Sequence, residues 1–160
     1  MLHLIPTSLH RVAYRVAHGL RKRWWRLRKP RLIGCRMLVF DDQDRVLLVR
    51  HSYGSGQWMP PGGGVGKGEK PLIAAGRELF EETGCILLGA HEFALVEEPL
   101  HGAINQVHVV VGRTLNQPVP DGREVIEAGF FGTLPPEMTP NFAAVLPGLI
   151  TAAKAVLQRE

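Results

Sequence analysis

The sequence predicts an α/β (α+β) fold, one domain in which a mixed β-sheet carries helices on its faces. Two observations predict it. Apolar residues fall in the order helix, strands, helix, strands, helix, the pattern from which a sheet covered by helices is built. The chain of 160 residues, 45% of them hydrophobic, is also long and apolar enough for a single core and too apolar for disorder.

Taken in order, the first element runs from Ser8 to about Lys29. Leu9, Ala13, Val16, Ala17, Leu20, Trp24 and Leu27 recur there at helical spacing among arginines and lysines, which describes a basic amphipathic helix. Pro30 stops it, because proline cannot continue a helix, so residues 1–30 read as a leader and 31–160 as the domain. Strand-like runs follow at Leu32–Phe40 and Arg45–His51, joined by the turn Asp41-Asp42-Gln43-Asp44. Ser52 to Gly68, rich in glycine and proline, reads as a loop. A helix is predicted from about Lys70 to Thr83, closed by Gly84. Strands are expected at Cys85–Val96, Gln106–Leu115 and about Glu124–Phe131, with turns in Pro99–Asn105 and Asn116–Gly122. A last helix is expected over Asn141–Gln158, with Pro147 bending it or delaying its start.

The net charge of +4 conceals a segregation. Residues 1–40 hold ten Lys or Arg and no acid; the other 120 hold the remaining nine basic and all fifteen acidic side chains, a net of −6. Total charge would suggest a nucleic-acid binder, yet the body is acidic and only the leader is basic. Cys35 and Cys85 lie fifty residues apart inside apolar runs, a spacing that fits neither a zinc site nor a disulfide framework. Two buried free thiols in a reducing, cytoplasmic setting are expected. No apolar run approaches the ~20 residues of a membrane span.

The chemistry concentrates in Gly62–Gly84, GGGVGKGEKPLIAAGRELFEETG. At about 100° per residue, Glu78, Glu81 and Glu82 share an arc of roughly 100° on one face. Leu72, Ala75, Gly76, Leu79 and Thr83 occupy the neighbouring arc and form a core-facing stripe. Like charges at i,i+3 and i,i+4 destabilise a helix. A hard divalent cation accounts for them, since magnesium takes oxygen ligands and binds through carboxylates and substrate phosphates. A solvated acidic face with Arg77 and Lys70 as partners is the plainer alternative. The loop before the helix weighs against it: Gly62, Gly63, Gly64, Gly66 and Gly68 leave backbone open to close approach, and a glycine loop feeding a helix N-terminus suits phosphate.

Gly63, five residues, Glu69, seven residues, then Arg77-Glu78-Leu79-Phe80-Glu81-Glu82-Thr83-Gly84-Cys85 resembles the Nudix box at every fixed position, and Gly56-Gln57-Trp58-Met59-Pro60-Pro61-Gly62-Gly63 resembles the family's entry to it. The resemblance implies an α/β/α sandwich around a mixed sheet. It also implies hydrolysis of a nucleoside diphosphate linked to another moiety, with Mg2+ or Mn2+. Position by position, it makes Glu78 and Glu82 the leading metal ligands and Glu81 a third ligand or the carboxylate that holds water. Glu69 supports the loop or joins the metal shell, Arg77 orients the carboxylates by a salt bridge, and a carbonyl at Gly62 or Gly63 completes the coordination. A carboxylate outside the box commonly serves as base or extra ligand; Glu124 is the leading candidate, with Glu127, Glu97 and Glu98 as rivals. Three positions depart from the pattern: Pro60 before the PGG, Cys85 in place of an aliphatic residue, and Gly76 inside the helix, which costs about 1 kcal/mol against alanine and suggests close packing.

Outside the box, Trp58 and Phe131 divide between pocket wall and core, and Val96–Gln106 reads as a pocket rim. The substrate is expected to be small and nucleotide-like. The alternatives are a nucleoside triphosphate pyrophosphohydrolase and a silent box that only binds nucleotide or RNA. For the leader three readings stand: a packed helix that extends the domain or a homodimer, a surface for anionic membrane or RNA, and an organelle-type targeting segment.

Overall fold

In the computed structural model the described residues are 31–100 and 103–158, with Val12, Ala13, Val16, Ala17 and Leu20 of the leader. Six strands, β1 (Arg31–Phe40), β2 (Val46–His51), β3 (Gly62–Gly64), β4 (Leu88–Leu100), β5 (Ala103–Arg113) and β6 (Val125–Phe131), share one sheet with helices α1 (Pro71–Thr83) and α2 (Pro140–Leu157). The strand order is β4-β5-β1-β2-β6, and β3 pairs with β1. β1 runs parallel to β5 from Arg31↔Ile104 to Phe40↔Arg113. The other pairs are antiparallel, so the sheet is mixed as expected.

β1 is covered on both faces. Its side chains alternate between two cores. Cys35, Met37 and Val39 join Leu47, Val110 and Cys85 beneath Ala74, Ala75 and Leu79 of α1. Leu38 and Phe40 join Leu48, Val109 and Val111 beneath Leu146 and Ala153 of α2. Helices on opposite faces make the α/β/α sandwich. Both cysteines are free and buried, and Cys85 fills the aliphatic role at the end of the box.

The turn between β1 and β2 is held by one carboxylate. Asp41 accepts hydrogen bonds from the Gln43 amide (3.0 Å), the Arg45 amide (2.8 Å) and Arg45 Nε (2.7 Å). These donors outweigh its burial and hold its pKa below the usual range. The strands pair at Phe40↔Val46, and residues 59–65 then run between them. Val49 and Met59 exchange both backbone bonds (2.9 and 3.1 Å), the Met37 amide donates to Pro61 O (2.9 Å) and the Val65 amide to Ile33 O (3.0 Å). The stretch read as loop thus contains a strand, with Gly34↔Gly64, Cys35↔Gly63 and Arg36↔Gly62 in register. Glycine carries no strand propensity, so the sequence has no local signal for β3.

Other boundaries also moved. β4 begins at Leu88 rather than Cys85, and the connection expected over Pro99–Asn105 is largely strand, with Pro99↔Ile104 and Leu100↔Ala103 paired. The rim expected at Val96–Gln106 is therefore hairpin. α2 starts before Pro147, which lies inside it and delays nothing. On α1, Ala74 is buried and Leu72 is not. Gly76 faces open space rather than a close neighbour.

Of the leader, Val12, Ala13, Val16, Ala17 and Leu20 are helical and exposed; the rest of that helix reading, including Trp24, Trp25 and the basic side chains before Arg31, lies outside the described residues. Among the described residues no helix is long and apolar enough to cross a membrane. Replacing Asp41 by alanine should destabilise the domain by about 2 kcal/mol, since it removes a buried carboxylate that accepts three hydrogen bonds; urea unfolding of the two proteins checks this.

Candidate active site

α1 begins with Pro71 in its first turn, where a missing amide costs nothing. It ends at Gly84, whose left-handed backbone (φ 68°) lets its amide reach Phe80 O. This fixes where the helix stops and so which way its carboxylates point. They are not equivalent. Glu82 sits among the buried residues Ala75, Leu79 and Thr83 and is only 4% exposed. Glu78 is half-buried, and the Glu81 side chain is exposed.

Glu82 is gripped at both oxygens: Oε2 accepts the Gly62 amide at 3.2 Å and Oε1 lies 3.0 Å from His51 Nε2. Glu78 lies against Gly63, where a Cβ would stand 2.2 Å from its Cδ. At Gly62 a Cβ would meet Cys35 O at 2.2 Å. The two glycines therefore let the backbone of β3 pass directly beneath the acidic face.

Arg77 organises the rest. Its Nε and Nη2 fork onto the two oxygens of Glu69 (2.9 and 3.0 Å), Nη1 reaches Glu78 Oε1 (2.8 Å) and Glu81 Oε2 (3.3 Å), and Nη2 also donates to Gly64 O (3.0 Å). A planar guanidinium is suited to such a fork. It holds Glu69 down to about 2, helped by the Gly66 amide, and Glu69 in turn raises the pKa of Arg77. At Glu78 burial wins: the carboxyl is pushed up despite Arg77, and the nearby Glu81 and Glu124 push it further.

Glu124, just before β6, is thereby brought to the box. Its Oε1 accepts the hydroxyl of Tyr53, and its carbonyl accepts the Ser52 amide at 2.8 Å. The rivals lie elsewhere. Glu127 pairs with Arg50 (3.4 Å) and Glu97 accepts Gln106 Nε2 (3.2 Å) on the hairpin; the Glu98 side chain lies outside the described residues.

The expected phosphate cradle is not an open ring of amides. The Gly62 amide serves Glu82, the Gly66 amide serves Glu69 Oε2 (2.8 Å), and the Glu69 amide serves Gly66 O (3.0 Å). Trp58 and Phe131 are not gathered at the carboxylates either. They meet edge-to-face at 4.8 Å and pack against the core beneath α2. Sequence reasoning missed His51 and Tyr53, which look like ordinary residues at a strand end; their i,i+2 spacing on one face was the only signal.

The donor set of Glu78, Glu81 and Glu82 is all carboxylate, the chemistry that magnesium and manganese take. Among the described residues no three acidic, imidazole or thiol side chains already close on one point. That accords with an ion held by one or two carboxylates and by substrate phosphates.

The NUDIX domain family matches residues 30–146, and the chain belongs to that family. Diphosphoinositol polyphosphate phosphohydrolase 2 of Rattus norvegicus is 46% identical over 50 residues, 31% of this chain and 28% of the relative. The RNA pyrophosphohydrolase of Bartonella bacilliformis is 42% identical over 59 residues, 32% of this chain and 35% of the relative. The chain thus spans about a third of the length of these curated relatives. Among solved structures, a MutT NUDIX hydrolase from Burkholderia pseudomallei superposes with a TM-score of 0.65 at 25% identity, covering 74% of this chain and 97% of that one. An Ap4A hydrolase from C. elegans shares the fold, with a TM-score of 0.64 at 21% identity over 81% of this chain and 99% of that one.

Gly63→Ala should displace Glu78, whereas Gly64→Ala should be tolerated, because a Cβ at Gly64 meets nothing within 4 Å. Manganese titration of the two variants by calorimetry should show weakened binding in the first alone.

Proposed function

We propose that the protein hydrolyses a diphosphate linkage in a nucleoside diphosphate joined to another moiety, using Mg2+ or Mn2+. The observation that carries this is the acidic face of α1, where Arg77 gathers Glu69, Glu78 and Glu81 and the Gly62 amide and His51 hold Glu82, with Glu124 close enough to act on Glu78. A pure binder of nucleotide would have no use for so many negative charges facing an anionic ligand. Glu78 and Glu82 would hold the ion, Glu81 would hold it or a water, and Glu124 is placed to act as base or further ligand. When bound, the cation supplies neutralisation of the diphosphate so that water can attack phosphorus in line. Gly63, Gly64 and Glu69 would shape the floor of the site beneath the substrate.

The test is phosphate release across ADP-ribose, nucleotide sugars, dinucleoside polyphosphates, deoxynucleoside triphosphates, diphosphoinositol polyphosphates and 5′-triphosphorylated RNA, with and without magnesium. Metal-dependent turnover should fall by at least 100-fold in Glu82→Gln. A preference for triphosphates would move the protein to the pyrophosphohydrolase reading, and binding without turnover would leave a silent box.

For the leader, the favoured partner is an anionic membrane surface. Val12, Val16 and Leu20, at i,i+4,i+8, are helical and 53–65% exposed, in a leader, residues 1–30, that carries eight Lys or Arg and no acid. Exposed apolar spacing with surrounding cations suits a lipid interface, where the apolar face is buried and the cations meet headgroups. The buried free thiols accord with a reducing cytoplasmic side. Full-length protein should sediment with vesicles containing phosphatidylserine, lose this in high salt and lose it on removal of residues 1–29. Binding to RNA alone, or a salt-insensitive homodimer on gel filtration, would overturn the assignment.

A further inference from the structure

β2 ends in a short arm that reaches two carboxylates from different parts of the chain. The register of β2 on β6 shifts between Arg50 and His51, which turns His51 towards α1. His51 Nε2 lies 3.0 Å from Glu82 Oε1, with both side chains buried. Two residues on, on the same side of the arm, Tyr53 donates its hydroxyl to Glu124 Oε1. The two rings lie 5.1 Å apart at 43°. Between them, Ser52 ties the backbone to the Glu124 segment, its amide on Glu124 O and its hydroxyl on Arg123 O, each at 2.8 Å.

Neither ring belongs to the two apolar cores. Both line a cavity of about 300 Å³. Glutamate has three rotatable side-chain bonds, and ordering it costs up to about 2 kcal/mol unless something holds it. At Glu82 the Gly62 amide takes one oxygen and His51 the other, which fixes the plane of the carboxylate. At Glu124 the phenol holds one oxygen without cancelling the charge, in contrast to Arg77 at Glu69 and Glu78. Groups one step removed from a metal commonly change its affinity or the activity by about 10–100-fold through this kind of orientation.

We infer that His51 and Tyr53 are positioning residues: they hold Glu82 and Glu124, from two separate segments, in one geometry around the diphosphate and its cation. The inference rests on the hydrolase reading above. Its test uses the full chain with His51→Leu, His51→Gln and Tyr53→Phe, checked for folding by circular dichroism. Mn2+ affinity is read by electron paramagnetic resonance without substrate, and kcat and KM on the best substrate of the panel. In His51→Leu, Mn2+ affinity and kcat should each fall about 10–100-fold with KM changed less than about threefold, and His51→Gln, which keeps a donor, should recover most of the loss. Tyr53→Phe should lower kcat over the same range. Should His51→Leu fail to fold, Tyr53→Phe and the intermediate behaviour of His51→Gln carry the test. Wild-type turnover with all three variants folded and unchanged would overturn this inference alone. A wild type that neither binds Mn2+ nor turns over any substrate would overturn the hydrolase reading and this inference with it.

Discussion

A methyl group on Gly62 would stand 2.2 Å from the carbonyl of Cys35, and one on Gly63 would stand 2.2 Å from the carboxyl carbon of Glu78. At Gly62 the clash is with backbone, so the strand passes β1 only because that residue is glycine; at Gly63 a side chain would push the Glu78 carboxylate aside. The strand's position matters because β1 and β2 part beyond Phe40↔Val46 and leave a gap that residues 59–65 occupy. Through that gap a backbone amide reaches Glu82, and a bare backbone lies beneath Glu78. Were side chains present there, β3 would part from β1 at Gly62 and the Glu78 carboxylate would be displaced at Gly63.

The second constraint is electrostatic. Five carboxylates crowd the site, and a helix bearing three of them on one face is self-repelling. Arg77 relieves part of this by forking onto Glu69 and touching Glu78 and Glu81. Glu82 takes a different course, buried and held by an amide and an imidazole. Glu124 takes a third, on the hydroxyl of Tyr53. Burial works against the charge on Glu78, and Glu81 and Glu124 add to that, so its carboxyl is pushed up despite Arg77.

Much of this was legible in the sequence. The fold class, the run of β1, the helix from Pro71 to Thr83 and its Gly84 stop all follow from periodicity, proline and glycine. The shared face of Glu78, Glu81 and Glu82 follows from helical geometry, and the spacing of the box named the family. The glycine strand was not legible, because glycine has no strand signal and its pairing partner lies nearly thirty residues away. The swap of Leu72 for Ala74 in the core was not legible either, since 100° per residue locates a stripe but not the sheet that covers it. Trp58 and Phe131 are apolar in any reading, and only the tertiary structure brings them edge-to-face beside the core beneath α2.

By itself, then, the sequence determined what short-range chemistry can encode: which residues form a helix, where it stops, which carboxylates share its face and where the basic charge lies. The tertiary structure alone decided which of those carboxylates is buried, and it alone set His51 against Glu82 and Tyr53 against Glu124. The reason is physical. Helical order is set by neighbours three and four residues apart, whereas the partners of Glu82 and Glu124 are separated from them by 20 to 71 residues and meet only when the sheet closes.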